Sequence, residues 1–333
     1  MILVVYGTRP EFIKIKPLLD ELRKNNILFK TLFTGQHKDI VSKEADFKIS
    51  IDENSNNRLD TIIKNCMNLP NEWFNDVKYI LVQGDTTSVV GLSLSALHRK
   101  IKIIHLEAGL RTYDNKNPFP EENNRRIVSS VADIHLCPTI NNKNNLIKEN
   151  IPEDKIFVVG NTGLDNLVEY KNKISYENTV LITIHRRENH ESIERWFTEI
   201  NKIASKYKNI EFILPIHPNP NVKKFKKILK NIKVIEPLSH EDLLSYLVRC
   251  KLVISYSGGL QEECSFLNKK CLVCRTVTER PESIGLSSFI VDDYSKLELM
   301  FNEHINDYFI KNDCPYGEGN SSKKIVDIFK NIL

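Results

Sequence analysis

The sequence predicts an α/β protein with two doubly wound domains, each built around a parallel β-sheet. Short apolar and β-branched runs alternate with helical segments along the whole chain, which is the pattern of repeated β-α units. Most of these runs are continuously apolar, as expected of parallel strands that helices cover on both faces. A chain of 333 residues is also long for one core, which favours two domains.

The candidate strands fall into two series that are separated by helices. In the first half they lie at 2–6, 28–34, 79–83, 102–106 and 134–137. In the second half they lie at 155–159, 180–184, 210–215, 232–235, 252–256, 271–274 and 288–291. The clearest helices are expected at 10–24, 87–99, 121–132, 191–206 and 241–249. We place the domain boundary after the Gly-Asn-Thr turn, giving domains 1–163 and 164–321, and expect a terminal helix at 322–333 to pack on the first domain.

Charge and hydropathy argue against a polyanionic or membrane partner. The chain has 47 basic and 43 acidic residues, a net charge of +4, which is too balanced to indicate nucleic acid or an anionic membrane. Its apolar runs are far shorter than the ~20 residues that span a bilayer. The chain opens on the strand-like run Ile2–Tyr6, without the basic region and cleavage site of a signal peptide. We therefore expect a cytoplasmic protein.

The seven cysteines do not predict a metal site. Cys271 and Cys274 form a CxxC pair inside a predicted strand, where residues three apart point to opposite faces. The sequence offers no second pair to complete a zinc site. We expect reduced, buried cysteines and no metal.

Polar motifs follow the carboxyl ends of six predicted strands. They are Gly7-Thr8-Arg9-Pro10-Glu11, Gln83-Gly84-Asp85-Thr86, His105-Leu106-Glu107-Ala108-Gly109, Thr183-Ile184-His185-Arg186-Arg187-Glu188-Asn189, Pro215-Ile216-His217-Pro218-Asn219-Pro220 and Ser255-Tyr256-Ser257-Gly258-Gly259. Ligands of open parallel sheets bind outside these strand ends, so we expect motifs from both halves to face one interdomain cleft. This pattern predicts an enzyme but no particular reaction.

Two of these motifs suit a phosphate group. Ser257-Gly258-Gly259 and Gly7-Thr8-Arg9 each open a predicted helix, where N–H groups and the helix dipole attract anions. Arg9 adds a guanidinium, which binds phosphate oxygens in pairs. The alternative is that each is only a turn. Neither matches the dinucleotide fingerprint or the P-loop, which argues against a nicotinamide dehydrogenase and an NTPase.

Three carboxylates and one histidine are candidates for acid–base chemistry. Asp85, Glu107 and Glu121 all belong to the first half of the chain, and carboxylates that share a cleft can divide acid and base roles. The alternative is that each caps a helix or pairs with a nearby arginine. His185, followed by two arginines, is placed to contact a diphosphate or protonate a leaving group, with a structural histidine as the alternative.

Taken in order, the motifs resemble one known family. To the motifs above the resemblance adds Lys14, Thr34-Gly35-Gln36-His37, Leu110-Arg111-Thr112, Pro118-Phe119-Pro120-Glu121-Glu122-Asn123-Asn124-Arg125-Arg126, Gly160-Asn161-Thr162, Leu260-Gln261-Glu262-Glu263 and Thr278-Glu279-Arg280-Pro281-Glu282. The set resembles the non-hydrolysing UDP-N-acetylglucosamine 2-epimerases from Gly7 to Gly317.

The resemblance implies a fold and a reaction. The fold would be GT-B-like, with two Rossmann-like domains around a deep cleft, usually as a homodimer. The reaction would interconvert UDP-N-acetylglucosamine and UDP-N-acetylmannosamine, without a metal or a nicotinamide cofactor. Elimination of UDP would give an enzyme-bound 2-acetamidoglucal, and UDP would add again after protonation of the other face of C2.

The resemblance also implies residue roles. Asp85, Glu107 and Glu121 would act on the sugar, and His185 would assist the leaving group. The nucleotide would be held by Arg9, Lys14, Ser257, Gly258, Gly259, Glu263 and Arg280. Among these, Glu263 would accept hydrogen bonds from the ribose hydroxyls.

Several positions depart from the family pattern. Tyr256 stands where an aspartate is usual, and Leu243, with Leu238 nearby, stands where an aromatic residue often lines the uracil pocket. Some bacterial members bind a second UDP-N-acetylglucosamine as activator. The residues that match that site are Gln36, His37 and His217, whereas Asp39 replaces the usual glutamine or glutamate.

Four alternative functions stay open. A hydrolysing 2-epimerase would release free N-acetylmannosamine, but Pro10-Glu11 argues against it. A sister epimerase would act on a modified UDP-sugar, but Gln36-His37 and 107–112 favour plain N-acetylglucosamine. A GT-B glycosyltransferase would not need three carboxylates in these places. A catalytically inactive UDP-sugar-binding protein would not need the acid–base residues at all.

Overall fold

The computed structural model describes residues 1–36, 45–49, 57–184, 193–216 and 224–332. The chain divides into two compact units: unit 1 comprises Met1–Asn166 with Tyr316–Leu333, and unit 2 comprises Leu167–Pro315.

Unit 1 takes up more of the C-terminal segment than the predicted helix 322–333. The N–H of Asn161 donates to the carbonyl of Tyr316 at 2.8 Å. The carboxylate of Asp165 accepts from the N–H groups of Ser321 (3.0 Å) and Ser322 (2.7 Å). These contacts hold the chain in unit 1 from residue 316 onward and extend its first segment to residue 166.

The sheet of unit 1 has seven parallel strands in the order β3-β2-β1-β4-β5-β6-β7. The strands are β1 (Ile2–Tyr6), β2 (Phe29–Phe33), β3 (Phe47–Lys48), β4 (Tyr79–Gln83), β5 (Lys102–Leu106), β6 (Ile134–Cys137) and β7 (Ile156–Val158). The helices between them are α1 (Arg9–Lys24), α2 (Arg58–Met67), α3 (Thr87–His98), α4 (Glu121–Val131) and α5 (Ile140–Lys148).

The sheet of unit 2 has six parallel strands in the order β10-β9-β8-β11-β12-β13. The strands are β8 (Thr179–Thr183), β9 (Glu211–Pro215), β10 (Lys233–Ile235), β11 (Leu252–Ser255), β12 (Lys270–Val273) and β13 (Ser288–Ile290). Its helices are α6 (Ile193–Lys206), α7 (His240–Leu247), α8 (Gly258–Phe266) and α9 (Leu297–Asn306), and the C-terminal helix α10 (Ser321–Ile332) returns to unit 1. Short 3₁₀ segments lie at Asn71–Phe74, Glu153–Lys155, Thr162–Lys173, Lys224–Ile228, Pro281–Ser283 and Tyr294–Lys296.

The strands form where both faces can be buried. All five residues of β1 are buried, and successive side chains point to opposite faces. Val4 packs in one core with Leu18 of α1 and Ile325 of α10. Leu3 packs in a second core with residues of α2 and α3, including Leu92. Unit 2 has its own core, centred on α6, β9 and α9.

The two doubly wound parallel sheets confirm the predicted fold class. All twelve predicted strands are present to within one residue at each end. The strand that the sequence did not predict is β3, which has two residues and no apolar run. In the described ranges, no helix is both long enough and apolar enough to cross a membrane.

The strand orders place a switch point in each sheet. In unit 1 the order reverses between β1 and β4, and in unit 2 it reverses between β8 and β11. At such a point the crossovers lead away in opposite directions and leave a crevice at the carboxyl ends of the strands, where ligands bind. The Gly7 and Gly84–Thr86 turns flank this position in unit 1, and Ser257 follows β11 in unit 2.

Two neighbouring histidines are expected to make unit 1 acid-sensitive. His105 on β5 pairs in register with His135 on β6, and both are fully buried. Burial lowers the pKa of His105 to about 4 and that of His135 to about 3. In the unfolded chain both histidines take up protons as pH falls below 6.5, whereas in the folded chain they stay neutral until pH approaches 4. The free energy of unfolding therefore decreases as pH falls toward 4. At ~1.4 kcal/mol per pKa unit, the lowered pKa of His105 alone accounts for a loss of about 3 kcal/mol of unfolding free energy.

A buried apolar replacement tests this acid sensitivity. We expect His135→Leu to flatten the loss of unfolding free energy between pH 7 and pH 4.5, as measured by urea denaturation. His98→Leu serves as the control because His98 is exposed at the end of α3. An unchanged pH dependence in His135→Leu would contradict the assignment.

Candidate active site

The Gly7–Glu11 turn is closed by its own carboxylate. Glu11 accepts from the N–H groups of Gly7 (2.6 Å) and Thr8 (2.8 Å), and Thr8 Oγ1 accepts from the Glu11 N–H at 3.4 Å, which completes a capping box. The N–H groups of Gly7 and Thr8 therefore bond within their own turn, whereas the sequence predicts that the N–H groups of this helix start face an anion. Arg9 is exposed at the first position of α1, and its phosphate role stays a prediction.

Glu11 also makes a contact beyond its own turn. Its Oε1 accepts from Thr86 Oγ1 at 2.7 Å. The side chain is almost fully buried, and burial raises its pKa. One carboxylate thus joins the turn after β1 to the turn after β4.

Asp85 lies in the turn after β4, here called the Asp85 corner, where hydrogen bonds and an ion pair hold both its backbone and its side chain. Gly84, at φ +77°, provides the left-handed residue between β4 and Asp85. Arg125 contacts Asp85 Oδ2 through Nε (2.9 Å) and Nη2 (2.8 Å), and Asn124 Nδ2 donates to the Asp85 carbonyl at 2.8 Å. The Nε2 of His105, which is neutral at physiological pH, donates to the Gly84 carbonyl at 2.8 Å. Asp85 thus pairs with an arginine, yet its side chain stays 29% exposed.

Glu107 lies beside this corner. Its Oε1 is 2.5 Å from Lys14 Nζ, and its Oε2 accepts a hydrogen bond from Gln83 Nε2. The same Oε2 lies 3.6 Å from where a Cβ on Gly84 would stand, so the carboxylate borders the residue before Asp85. Lys14, which the resemblance implies for the nucleotide site, is thus paired with Glu107.

Glu121 is the first residue of α4, the helix that carries Arg125. The following residue, Glu122, is fully buried and accepts from the N–H groups of Thr112 (2.9 Å) and Tyr113 (3.1 Å) and from Arg125 Nη1 (2.9 Å). These bonds fix the start of α4 close to the Asp85 corner. The structure therefore places Asp85 and Glu107 after the neighbouring strands β4 and β5, and Glu121 on the helix whose Arg125 holds Asp85.

Of the three predicted activator residues, Gln36 belongs to the described ranges. Its side-chain oxygen accepts from Ser88 Oγ at 2.9 Å, and Ser88 Oγ lies 2.9 Å from Thr86 Oγ1. His37 and His217 lie outside the described residues, as does the predicted catalytic His185.

In unit 2, Ser257 is the N-cap of α8. Its Oγ accepts from the Leu260 N–H at 3.4 Å. Gly258 and Gly259 occupy the first two helical positions, whose N–H groups have no carbonyl partner within the helix. Such a helix start suits an anion, and the phosphate site at this turn stays a prediction.

Arg280 packs against that helix start. A Cβ on Gly258 would lie 2.3 Å from Arg280 Nη1 and 2.7 Å from Glu279 Oε1. The guanidinium is buried; its Nε is 2.9 Å from Glu262 Oε1, and Nη1 contacts Glu279. Glycine at 258 is therefore required for the close approach of a buried cation to the helix N-terminus.

His240 contacts Glu263 and lies close in the chain to the predicted base pocket. Glu263 Oε1 lies 2.9 Å from Nε2 of His240, the first residue of α7. Leu238 and Leu243, both half-buried, lie just before and after His240 in the chain. His240 was not singled out from the sequence, because its position after the N-cap serine carries no chemical signature.

Tyr256 fills space in the core where the resemblance expects an aspartate. It is buried, and its ring meets Trp196 edge to face at a centroid distance of 6.0 Å. The seven cysteines all lie in the described ranges, none of them forms a disulfide there, and six of them are buried. Over those ranges, no group of three or more His, Cys, Asp or Glu side chains is arranged to hold a metal ion.

Comparison with known proteins identifies the relatives of this arrangement. The model of the UDP-N-acetylglucosamine 2-epimerase family matches residues 20–330. The UDP-N-acetylglucosamine 2-epimerase of Neisseria meningitidis serogroup A is 36% identical over 98% of each chain. A crystal structure of the N. meningitidis enzyme bound to UDP-GlcNAc superposes with a TM-score of 0.91 at 35% identity, covering 99% of both chains.

A second solved structure extends the likeness to an archaeal protein. The UDP-GlcNAc 2-epimerase of Methanocaldococcus jannaschii, in complex with UDP-GlcNAc and UDP, gives a TM-score of 0.81 at 29% identity over 99% of both chains. The fold is accordingly of the GT-B-like class. Because the family model and the sequence identity both extend over nearly the whole chain, the chain belongs to the UDP-N-acetylglucosamine 2-epimerase family.

Proposed function

We propose that this protein interconverts UDP-N-acetylglucosamine and UDP-N-acetylmannosamine without releasing the free sugar. The observation that carries the proposal is the placement of Asp85 and Glu107 after the neighbouring strands β4 and β5, beside the switch point of unit 1, with Glu121 on the helix whose Arg125 holds Asp85. Family membership supports it, since relatives named UDP-N-acetylglucosamine 2-epimerases match along the whole chain and one was solved with UDP-GlcNAc bound.

The reaction must break and re-form the C2–H bond on opposite faces. The C2 proton is only weakly acidic, so the C1–O bond breaks with proton loss or before it. A base takes the C2 proton, the C1=C2 double bond forms, and UDP leaves with the electron pair of the C1–O bond. An acid on the other face then protonates C2, and the β-phosphate oxygen of UDP re-forms the bond to C1.

The carboxylates of unit 1 suit the two proton transfers. Two opposed faces require at least two acid–base groups, and three carboxylates are present. Asp85 is fixed by Arg125 and Glu107 by Lys14, so both can be aimed at a bound sugar. We propose that these two and Glu121 exchange the proton at C2.

The remaining predicted residues suit the nucleotide. Stabilisation of departing UDP is an electrostatic task for cations and helix N-termini. In unit 2, the start of α8 offers a helix N-terminus and the adjacent Arg280 offers a cation for the diphosphate. We assign the ribose hydroxyls to Glu263, the uracil to Leu238 and Leu243, and further diphosphate contacts to Arg9. His185, outside the described residues, keeps its predicted role in assisting the leaving group.

Product analysis tests the proposal. The protein is incubated with UDP-N-acetylglucosamine, and phosphorus and proton NMR follow the mixture. We expect UDP-N-acetylmannosamine with its diphosphate linkage intact, approaching equilibrium from either sugar. Free N-acetylmannosamine with UDP would mean a hydrolysing enzyme. Binding without turnover would mean a binding protein or another substrate.

We further propose a cytoplasmic homodimer that a second UDP-N-acetylglucosamine activates through Gln36, His37 and His217. Activation predicts a sigmoidal dependence of rate on substrate concentration and little reverse reaction with UDP-N-acetylmannosamine alone. A linear dependence at low substrate, with full reverse activity, would contradict activation. Light scattering would test the dimer.

A further inference from the structure

We propose that Glu11 and Thr86 form a bracket that fixes the Asp85 corner against the Arg9 turn, and that both act as positioning residues for the epimerisation. The inference rests on the proposed function of this site. It assigns a purpose to the buried carboxylate of Glu11, to which the proposed reaction gives no role.

The carboxylate of Glu11 does more than close its own turn. A capping box accounts for one oxygen, Oε2, which accepts from the N–H groups of Gly7 and Thr8. It does not account for the second oxygen, Oε1, which contacts Thr86 Oγ1 at 2.7 Å across 75 residues of sequence. The second contact ties the turn after β1 to the turn after β4, its neighbour in the sheet.

Thr86 gives independent support for the bracket. It is the N-cap residue of α3, and a threonine at this position usually accepts a hydrogen bond from the first turn of its own helix. Here the Thr86 side chain makes no such capping bond. Its hydroxyl contacts Glu11 and the Ser88 hydroxyl instead of a backbone N–H of its own helix, so the link between the two turns replaces the local cap.

The bracket lies one or two residues from both functional groups. Arg9 stands between Thr8 and Glu11 in the chain, and Asp85 immediately precedes Thr86. Without the Glu11–Thr86 hydrogen bond, the turn that carries Arg9 and the Asp85 corner could shift relative to each other. Displacement of a catalytic group by ~1 Å can cost a hundredfold in rate, so the effect is expected in kcat rather than in binding.

Removal of the Thr86 hydroxyl is the test. We expect Thr86→Val to lower kcat for UDP-N-acetylglucosamine by about tenfold or more while KM changes by less than about threefold. Thr86→Ser keeps the hydroxyl and should stay close to the wild type. Thr61→Val is the matched control, since the Thr61 hydroxyl makes a local bond to the Asn57 carbonyl on α2. Wild-type kcat in Thr86→Val, or an equal loss in Thr86→Ser, would overturn the proposal.

A second readout separates the bracket from the proposed function. The amide protons of Gly7 and Thr8 are held by Glu11, so Thr86→Val should accelerate their exchange with deuterated solvent and Thr61→Val should not. If the wild type does not epimerise the sugar, the proposed function fails and amide exchange alone decides the bracket. Unchanged exchange at both amides in Thr86→Val would then overturn it.

Discussion

Asp85→Asn is expected to lower kcat for the epimerisation by about a thousandfold, the scale of a lost acid–base group. The amide cannot take or deliver the C2 proton, but it has nearly the shape of the carboxylate. Its oxygen can still accept from Arg125, and the backbone contacts of His105 and Asn124 at this corner do not involve the side chain. The fold and the predicted nucleotide ligands should therefore be unaffected.

The measurement compares turnover with binding. Steady-state kinetics give kcat and KM, and titration calorimetry gives the UDP dissociation constant, which should stay within about twofold of the wild type because the lost group serves catalysis alone. Asp60→Asn, on an exposed residue in the first turn of α2, is the control. Normal turnover in Asp85→Asn would remove Asp85 from the site.

Gly258→Ala is expected to weaken unit 2 and UDP binding together. The new Cβ would lie 2.3 Å from Arg280 Nη1, so the guanidinium must leave its buried contacts with Glu262 and Glu279. Disruption of buried ion pairs costs about 3 kcal/mol of unfolding free energy. Displacement of the cation from the helix N-terminus should weaken UDP binding by about tenfold, as for one hydrogen bond to a charged group.

Gly259→Ala provides the matched control for this stability effect. A Cβ at 259 meets only Ser257 Oγ, at 3.9 Å, within the described ranges. Its unfolding free energy in urea should therefore stay within about 0.5 kcal/mol of the wild type. Equal losses in the two variants, or none in Gly258→Ala, would contradict the packing of Arg280 on the helix start.

The strands and the positions of the motifs were predictable because their signals are local. A continuous apolar run such as Ile2–Tyr6 can only be buried on both faces, and the polar residues that follow it must then lie at a strand end. The pairing of Glu107 with Lys14 depends on chain segments 93 residues apart. The Glu11–Thr86 contact depends on β1 and β4 being neighbours. Apolar runs indicate strands but not their order in the sheet, so neither contact was predictable.

The acceptor of the Gly7 and Thr8 N–H groups was predictable in principle. Thr8 followed three residues later by Glu11 is the sequence signature of a capping box, and that signature predicts that Glu11 takes the N–H groups of its own turn. The interpretation of the turn as a phosphate site did not take this capping-box signature into account. At the same turn the side chain of Arg9 is exposed, and its contact with a diphosphate stays a prediction.

Deuterium incorporation at C2 tests the central claim most directly. Wild-type protein is incubated with UDP-N-acetylglucosamine in deuterated water, and the C2 position of each sugar is followed by proton NMR. Loss of the C2 proton to a base on one face, and delivery of a solvent-exchanged deuteron by an acid on the other face, predict that the UDP-N-acetylmannosamine formed carries deuterium at C2. UDP-N-acetylmannosamine that keeps its original C2 proton would contradict acid–base exchange by these carboxylates.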